Sequence, residues 1–331
     1  MSATVIPANA TVLITGGAGF IGSAYVHLVA RTHPQWSIRV LDALTYCGFR
    51  EHLAGLDDRV TFIEGDIACA DAAHTAVAGC TAVVNFAAES HVDRSLVDAS
   101  PFEHTNVQGV RVLLEACAAH NVARFLHVST DEVYGDVFGT DRLSIESDPL
   151  APVSPYAQSK AKAEALVQGA TGIDTVITRG SNTYGPRQYP EKIVSLFVTS
   201  AIDDGALPVY GDGSALRDYM HVDDHCRGID QVLHKGVADG IYNLGVRAQI
   251  DGCTVAKSVV AAVGAGRIEH VVDRPDHDMR YAVDPASAEA LGWTPEIPFS
   301  EGLQQTVQWY RDNEAWWRAA KASADFRSFN W

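Results

Sequence analysis

The chain has 331 residues, which suits one large domain or a large domain carrying a smaller lobe. Apolar residues make up 47% and charged residues 20%, the balance of a globular protein, and a formal net charge of −16 speaks against nucleic acid or an anionic membrane as a partner. The opening segment has no basic stretch ahead of an apolar core, no apolar run reaches the ~18 residues that cross a bilayer, and six scattered cysteines form no Cys-x-x-Cys pair. The expectation is a cytoplasmic protein with reduced thiols, no disulfide framework and no metal site.

Apolar strands and helical stretches alternate through the first half. "TVLITGG" reads as a strand, "FIGSAYVHLVARTH" as a helix, and "SIRVLDAL" and "VTFIEGDI" as strands. "AAHTAVAG" is a short helix, "AVVNFAAE" a strand, "HTNVQGVRVLLEACAAHN" a long helix and "RFLHVST" a strand. "PYAQSKAKAEALVQG" follows as a helix with Ser154 as N-cap and Pro155 at its first position, and "DTVITRGS" closes the series as a strand. This alternation predicts a parallel sheet covered by helices on both faces. Beyond Gly180 the rhythm loosens into loops around the helix "KIVSLFVTSAIDDG". A strand-helix unit, "RDYMHVDDHCRGIDQVLHKG", a strand "GIYNLG" and a Trp-rich C-terminal helix, "FSEGLQQTVQWYRDNEAWWRAA", come next. The fold class expected is α/β, a Rossmann-type doubly wound sheet with a smaller C-terminal lobe. Residues 1–180 plus about 217–248 make the first unit, and about 181–216 with 249–331 the second.

"TGGAGFIG" places Gly16, Gly19 and Gly22 at three-residue steps between the first strand and the first helix. The first glycine allows a tight turn, the second a close approach to a diphosphate, and the third close helix-strand packing, while the helix N-terminus supplies free N–H groups. Asp42 ends the second strand 20 residues past Gly22, where an acid accepts hydrogen bonds from adenosine ribose hydroxyls. No basic residue follows until Arg50, so NAD is favoured over NADP. "GDI" (65–67) and "FAAES" (86–90) lie at later strand ends, on the edge that faces ligand in such a sheet.

Tyr156 and Lys160 are four apart on a predicted helix and share a face. An ammonium and a bound nicotinamide cation beside a tyrosine stabilise its phenolate, making it a base that takes a hydroxyl proton as hydride leaves the same carbon. "STDEVYG" (129–135) sets Asp131 and Glu132 directly after a strand that should be buried, where unpaired charge is costly. Taken alone, the pair reads as a turn. After a dinucleotide loop and before a Tyr-x-x-x-Lys helix, it reads as a catalytic pair. Neighbouring residues on an ideal strand face opposite ways, so the two acids must lie just past the strand end.

With "TGGAGFIG", "LDAL", "AAES", "STDEVYG", "YAQSK", "RGSNTYGP", "GDGSALRDYMHVDD" and "RPDHD", nearly the whole chain resembles the extended short-chain dehydrogenase/reductase family. Within it, "AAESHVDRS" and "TDEVYG" are most similar to the group of dTDP-glucose 4,6-dehydratases. Sugar-nucleotide 4-epimerases usually carry small residues where Asp131 and Glu132 stand. The resemblance implies that Tyr156 and Lys160 serve oxidation at the sugar C4, with Thr130 bonded to the 4-oxygen. It makes Glu132 the base at C5 and Asp131 the acid for the 6-hydroxyl. It implies NAD held by Gly16, Gly19, Phe20, Ile21, Gly22, Asp42, Leu44, Thr45, Asp66, Ile67, Ala87, Ala88, Ser90, Thr105, Tyr156 and Lys160.

The same resemblance implies a nucleotide-sugar substrate, dTDP-glucose foremost, met by Ser90, Thr130, Asn182, Glu191, Lys192, Ile193, Pro208, Tyr210, Arg217, Asn243, Arg274 and His277. It also implies a homodimer built on the helices at 104–120 and 155–169. The alternatives are a dehydratase of a UDP- or GDP-sugar, a 4-epimerase, and a non-enzymatic NAD-binding regulator. The chain departs from the family's pattern at Gly180, Thr183, Val246 and Asp276, away from the catalytic set and where the nucleotide is expected.

Overall fold

The computed structural model describes residues 4–273 and 278–327. Its strands are β1 (Thr11–Thr15), β2 (Ser37–Asp42), β3 (Val60–Glu64), β4 (Ala82–Asn85), β5 (Arg124–Thr130), β6 (Asp174–Gly180), β7 (Asn182–Tyr184), β8 (Ala206–Tyr210), β9 (Leu216–His221), β10 (Gly240–Leu244), β11 (Gln249–Asp251) and β12 (Arg267–Val271). Seven of them form one sheet in the order β10-β6-β5-β4-β1-β2-β3, with every pairing parallel. This is the doubly wound α/β architecture that the alternation of strands and helices predicts. Two small sheets, β11-β9-β7 and β12-β8, belong to the later part of the chain.

Period-two alternation divides the core. Val12 and Ile14 face one side of the sheet and pack with Tyr25, Val26 and Val29 of the helix Phe20–Thr32 and with Ile229 and Val232 of the helix Val222–Lys235. Leu13, Val83 and Phe125 face the other side. They meet Leu113 and Ala116 of the helix Val110–Ala119 and Ala163 and Val167 of the helix Pro155–Gln168. Ser154 caps this last helix as expected, its hydroxyl accepting from the Ala157 N–H at 3.0 Å. A separate core in the lobe gathers Tyr184, Phe197, Leu207, Val255, Leu303 and Trp317.

The structure differs from the sequence reading in three places. The long helix before β5 contains a π-helical stretch, Glu103–Gly109, which is wider than an α-helix. β9 pairs with β7 and β11 in a small sheet, although the helix that follows it covers the large one. The Trp-rich C-terminal helix is two helices, Phe299–Asp312 and Glu314–Ala322. Asn313 breaks it with φ −122° and ψ 35° while its side-chain amide donates to the Trp309 carbonyl, and the bend lets the Trp317 indole donate to the Tyr310 carbonyl at 2.8 Å.

One buried polar chain fixes the Pro155–Gln168 helix against the sheet. The Arg179 guanidinium on β6 donates to both carboxylate oxygens of Glu164, and to the Tyr134 hydroxyl at 2.7 Å. Tyr134 in turn donates to Asn243 Oδ1 on β10 at 2.8 Å, and Asn243 Nδ2 donates to the Ser144 carbonyl at 3.0 Å. Arg179 and Glu164 are 2% and 1% exposed, so removing one partner strands the other in a region of low dielectric. Glu164→Ala is expected to cost about 3–5 kcal/mol, read as a lower midpoint in urea unfolding. Gln304→Ala, an exposed position on the helix Phe299–Asp312, should leave the midpoint within about 0.5 kcal/mol of the original.

Candidate active site

The C-terminal ends of the parallel strands open into a cavity of about 330 Å³. Its floor is the glycine loop. Gly16 has φ +66°, and a Cβ there would lie 2.6 Å from the Ala87 nitrogen, while one on Gly22 would lie 2.2 Å from the Gly16 carbonyl oxygen. Gly19, the N-cap of the first helix, brings no side chain to its N-terminal amides. Those amides therefore face a space that suits a diphosphate. Phe20, Ile21, Thr45, Asp66, Ile67, Ala87, Ala88, Ser90 and Thr105 line the cavity with Gly16, Gly19, Gly22 and Asp42.

The Asp42 carboxylate accepts from the Ala18 and Leu44 amides, each at 2.8 Å, and one lone pair on each oxygen remains for a ribose hydroxyl. Burial raises its pKa and the two amides oppose that rise. Leu44 does not line the cavity. With φ +49°, it orients Asp42 through its backbone. The π-helical stretch directs Thr105 into the cavity, and Asn106 joins two elements behind it. Asn106 accepts from the Glu89 N–H at 2.9 Å and donates to the Glu89 carbonyl at 3.0 Å and the Ser159 hydroxyl at 2.8 Å.

β5 ends at Thr130, and Asp131–Tyr134 form a single 3₁₀ turn. Gly135 closes it with φ +77°, where a Cβ would lie 2.4 Å from the Ala151 carbonyl oxygen. The turn breaks strand alternation and lets Thr130, Asp131 and Glu132 all line the same cavity. The Thr130 hydroxyl accepts from the Glu132 N–H and donates to Asp131 Oδ1, both at 3.3 Å. Asp131 is 2% exposed, and its Oδ2 has no hydrogen-bond partner among the described residues. Burial, then the charges of Glu132 and Asp218, push its carboxyl well above the usual range, against an opposing pull from Arg217. A neutral acid beside a second carboxyl group is the arrangement that divides acid and base roles.

Tyr156 and Lys160 face the same space. Burial and the nearby Glu132 raise the Tyr156 phenol above its ordinary value, and the Thr130 hydroxyl opposes this. The side chains alone therefore keep the phenol protonated, and a cation placed beside it is what activates it. Burial lowers Lys160 to about 8, against the nearby Glu164. Its ammonium donates to the Val128 carbonyl at 2.7 Å and lies 3.4 Å from His127 Nε2. Behind it, His127 Nδ1 meets Asn85 Nδ2 at 3.0 Å, and the Asn85 Oδ1 accepts from the Thr15 hydroxyl at 2.5 Å. These three residues occupy matching register positions on β1, β4 and β5. The signal in the sequence was a polar residue within each apolar strand, at the end of β1 and β4 and in the middle of β5.

A second cavity, of about 230 Å³, holds Pro208, Tyr210 and Arg217. It shares Glu132, Asn182, Glu191, Lys192 and Ile193 with the first. Lys192 donates to the Ser90 carbonyl at 2.7 Å. Glu191 accepts from the Tyr46 hydroxyl at 2.8 Å and from Arg94 at 3.1 Å, and the Arg94 guanidinium also lies 4.2 Å over the Tyr46 ring. Arg217 donates to the Asp278 carbonyl at 2.6 Å and stacks 4.6 Å over the Tyr281 ring. Asn243 is a correction: it lines neither cavity and is wholly buried, its side chain consumed by Tyr134 and Ser144. Arg274, Asp276 and His277 lie outside the described residues.

His225 was missed. It is 2% exposed, lines the first cavity, and its Nε2 has no hydrogen-bond partner among the described residues. It also accounts for two departures from the family pattern. A Cβ on Gly180 would sit 2.5 Å from His225 Nε2, and the Thr183 hydroxyl pairs with His225 Nδ1 at 2.8 Å. Val246 lines neither cavity, and its amide donates to Asp218, as do those of Arg247 and Ala248.

Residues 12–245 match the model of the NAD dependent epimerase/dehydratase family. The chain is 44% identical over 323 residues to a dTDP-glucose 4,6-dehydratase of Streptomyces niveus, covering 94% of this chain and 96% of that protein. Among solved structures it is similar to the dTDP-glucose 4,6-dehydratase DesIV of Streptomyces venezuelae, solved with NAD bound, with a TM-score of 0.91 and 44% identity over 94% of this chain and all of that one. It is also similar, at 31% identity and a TM-score of 0.84, to a UDP-glucose 4-epimerase of Thermus thermophilus in complex with NAD, covering 91% of this chain and 99% of that one. On its motifs, its fold and these likenesses, the chain belongs to the NAD dependent epimerase/dehydratase family.

Proposed function

We propose that the protein is a dTDP-glucose 4,6-dehydratase, converting the nucleotide sugar to its 4-keto-6-deoxy form by loss of water. The observation that carries this reading is the 3₁₀ turn after β5. It sets a buried carboxyl whose surroundings favour the neutral form in the first cavity, and a second carboxyl group where the two cavities meet, beside a Tyr-x-x-x-Lys pair. A 4-epimerase only removes and returns hydride at C4 and needs neither acid. The relatives that act on dTDP-glucose, at 44% identity over most of both chains, support the substrate.

NAD fits the first cavity: the glycine loop has no room for a Cβ, the uncapped helix end suits a diphosphate, and Asp42 keeps lone pairs for a ribose. When bound, it supplies the chemistry of taking up a hydride and giving it back. The nucleotide sugar occupies the second cavity and reaches Glu132 at the junction. Tyr156 takes the proton of the 4-hydroxyl, with Thr130 bonded to the oxygen and Lys160 stabilising the phenolate. The resulting 4-ketone acidifies C5–H, and Glu132 removes that proton. Asp131 gives its proton to the 6-hydroxyl, which leaves as water, and the 5,6-alkene left behind would become the 4-keto-6-deoxy sugar on return of the C4 hydride to C6, with Glu132 giving its proton back to C5. Arg217 and Lys192 meet the diphosphate and sugar, since a guanidinium matches phosphate geometry. Residues 1–180 with about 217–248 hold the cofactor, and the remainder binds the sugar nucleotide. A homodimer across the helices at 104–120 and 155–169, in the cytoplasm, completes the reading.

Incubation with dTDP-glucose, UDP-glucose or UDP-galactose, without added reductant, should yield a 4-keto-6-deoxy sugar from dTDP-glucose foremost. Absence of a keto product from every sugar overturns the assignment. Glu132→Gln should slow elimination by about 10²–10⁴ while leaving substrate binding within a few-fold, measured by product formation and equilibrium titration. Both Asp131 as acid and Lys160 as cation lose their active proton as pH rises. The turnover number should therefore fall above about pH 8, where Lys160 discharges, and Lys160→Met should lower it and remove that limb. Light scattering should give twice the 35.6 kDa mass of one chain, and a monomer would refute the dimer.

A further inference from the structure

On the sheet face opposite the Tyr156 helix, two helices end side by side. His33 is the C-cap of Phe20–Thr32, and Asp230 and His234 stand on the last turns of Val222–Lys235. His33 Nε2 lies 3.1 Å from each Asp230 carboxylate oxygen, and His234 Nε2 lies 3.8 Å from Oδ1. One ligand atom from each residue falls within 4.8 Å of the other two. Salt-bridge geometry explains the His33 contact. His234 Nε2, within ion-pair range of the same carboxylate at 3.8 Å, is buried and has no hydrogen-bond partner among the described residues.

We propose that His33, Asp230 and His234 bind a divalent transition metal of the zinc class and that the ion clasps the two helices together. In a tetrahedral site with bonds of about 2.0–2.1 Å, neighbouring ligand atoms stand about 3.3 Å apart; His33 and His234 Nε2 lie 3.1 and 3.8 Å from Asp230 Oδ1, and all three atoms lie within 4.8 Å of one another. Two imidazoles and one carboxylate select zinc, cobalt, nickel or copper over magnesium or calcium. The three side chains are partly exposed, at 22%, 20% and 30%.

The surroundings suit a cation. Two helix C-termini present their negative dipole ends here. The wholly buried Tyr25 donates its hydroxyl to Asp230 Oδ1 at 3.2 Å, as supporting residues do for a ligating carboxylate. Trp36 stacks on the His33 ring at 4.0 Å and holds its orientation. The positive charge of Arg124, which bears on His234, is paired with Asp174 at 2.8 Å. His33 and Asp230 are 197 positions apart, so no spacing in the sequence announces the trio.

The test uses the full-length, untagged protein stripped with EDTA. Zinc chloride should raise Tm by about 2–5 °C where magnesium chloride does not. Cobalt chloride should give a visible tetrahedral spectrum that saturates at one equivalent. His33→Ala with His234→Ala should remove both responses while its circular dichroism stays native. His234→Cys should add a thiolate charge-transfer band to the cobalt spectrum, a readout independent of the double variant's folding. No zinc-dependent rise in the original protein, an equal rise with magnesium, an undiminished response in the double variant, or a cobalt spectrum indifferent to His234→Cys would each overturn the site. None of these readouts depends on catalytic activity.

Discussion

The carboxyl group of Asp131 is 2% exposed, adjoins a second carboxyl and has one oxygen with no hydrogen-bond partner among the described residues. Burial and the neighbouring carboxyl favour its neutral form there. Much of the architecture around it follows. β5 must stop at Thr130, because one more strand residue would turn the two acids to opposite sides of the sheet. The 3₁₀ turn needs Gly135 to close it against Ala151. The Thr130 hydroxyl must both receive the Glu132 N–H and give to Asp131. Below, Arg179 braces the turn through Tyr134 and the Tyr156 helix through Glu164, so the acids and the tyrosine share one rigid support.

Local signals carried most of the fold and the first cavity. The glycine steps, the strand-end Asp42, the Ser154 cap and the Tyr-x-x-x-Lys spacing are contiguous patterns whose geometry follows from one strand or one helix. The failures share a physical cause, since each depends on what a distant segment does. Asn243 looked like a ligand contact at a strand end and is instead tied to Tyr134 and Ser144. Leu44 acts through its amide and leaves its side chain out of the cavity. The Trp-rich helix breaks at Asn313, and the Trp317 indole beyond the break donates to the Tyr310 carbonyl, a contact that helix periodicity does not express.

His225 shows how departures from a family pattern can be coupled. Gly180 and Thr183 look like two unrelated changes in sequence. In space, the missing side chain at 180 leaves the volume that the imidazole fills, and the hydroxyl at 183 holds its Nδ1. The electrostatics of the nearby lysine rest on a similar long-range set, in which Thr15, Asn85 and His127 line up only because three parallel strands are in register.

The wide-turned stretch Glu103–Gly109 separates one long rod into two parts that differ in angular phase. A residue adds about 100° of rotation in an α-helix, so a local widening shifts which side chains face which neighbour beyond it. Within the stretch, the phase serves the ligand side, with Thr105 in the cavity and Asn106 gripping Glu89 and Ser159. Downstream, Val110, Leu113 and Cys117 serve the core. One continuous helix thus answers two selective demands, and substitutions that tune the pocket leave the packing register of the other half untouched.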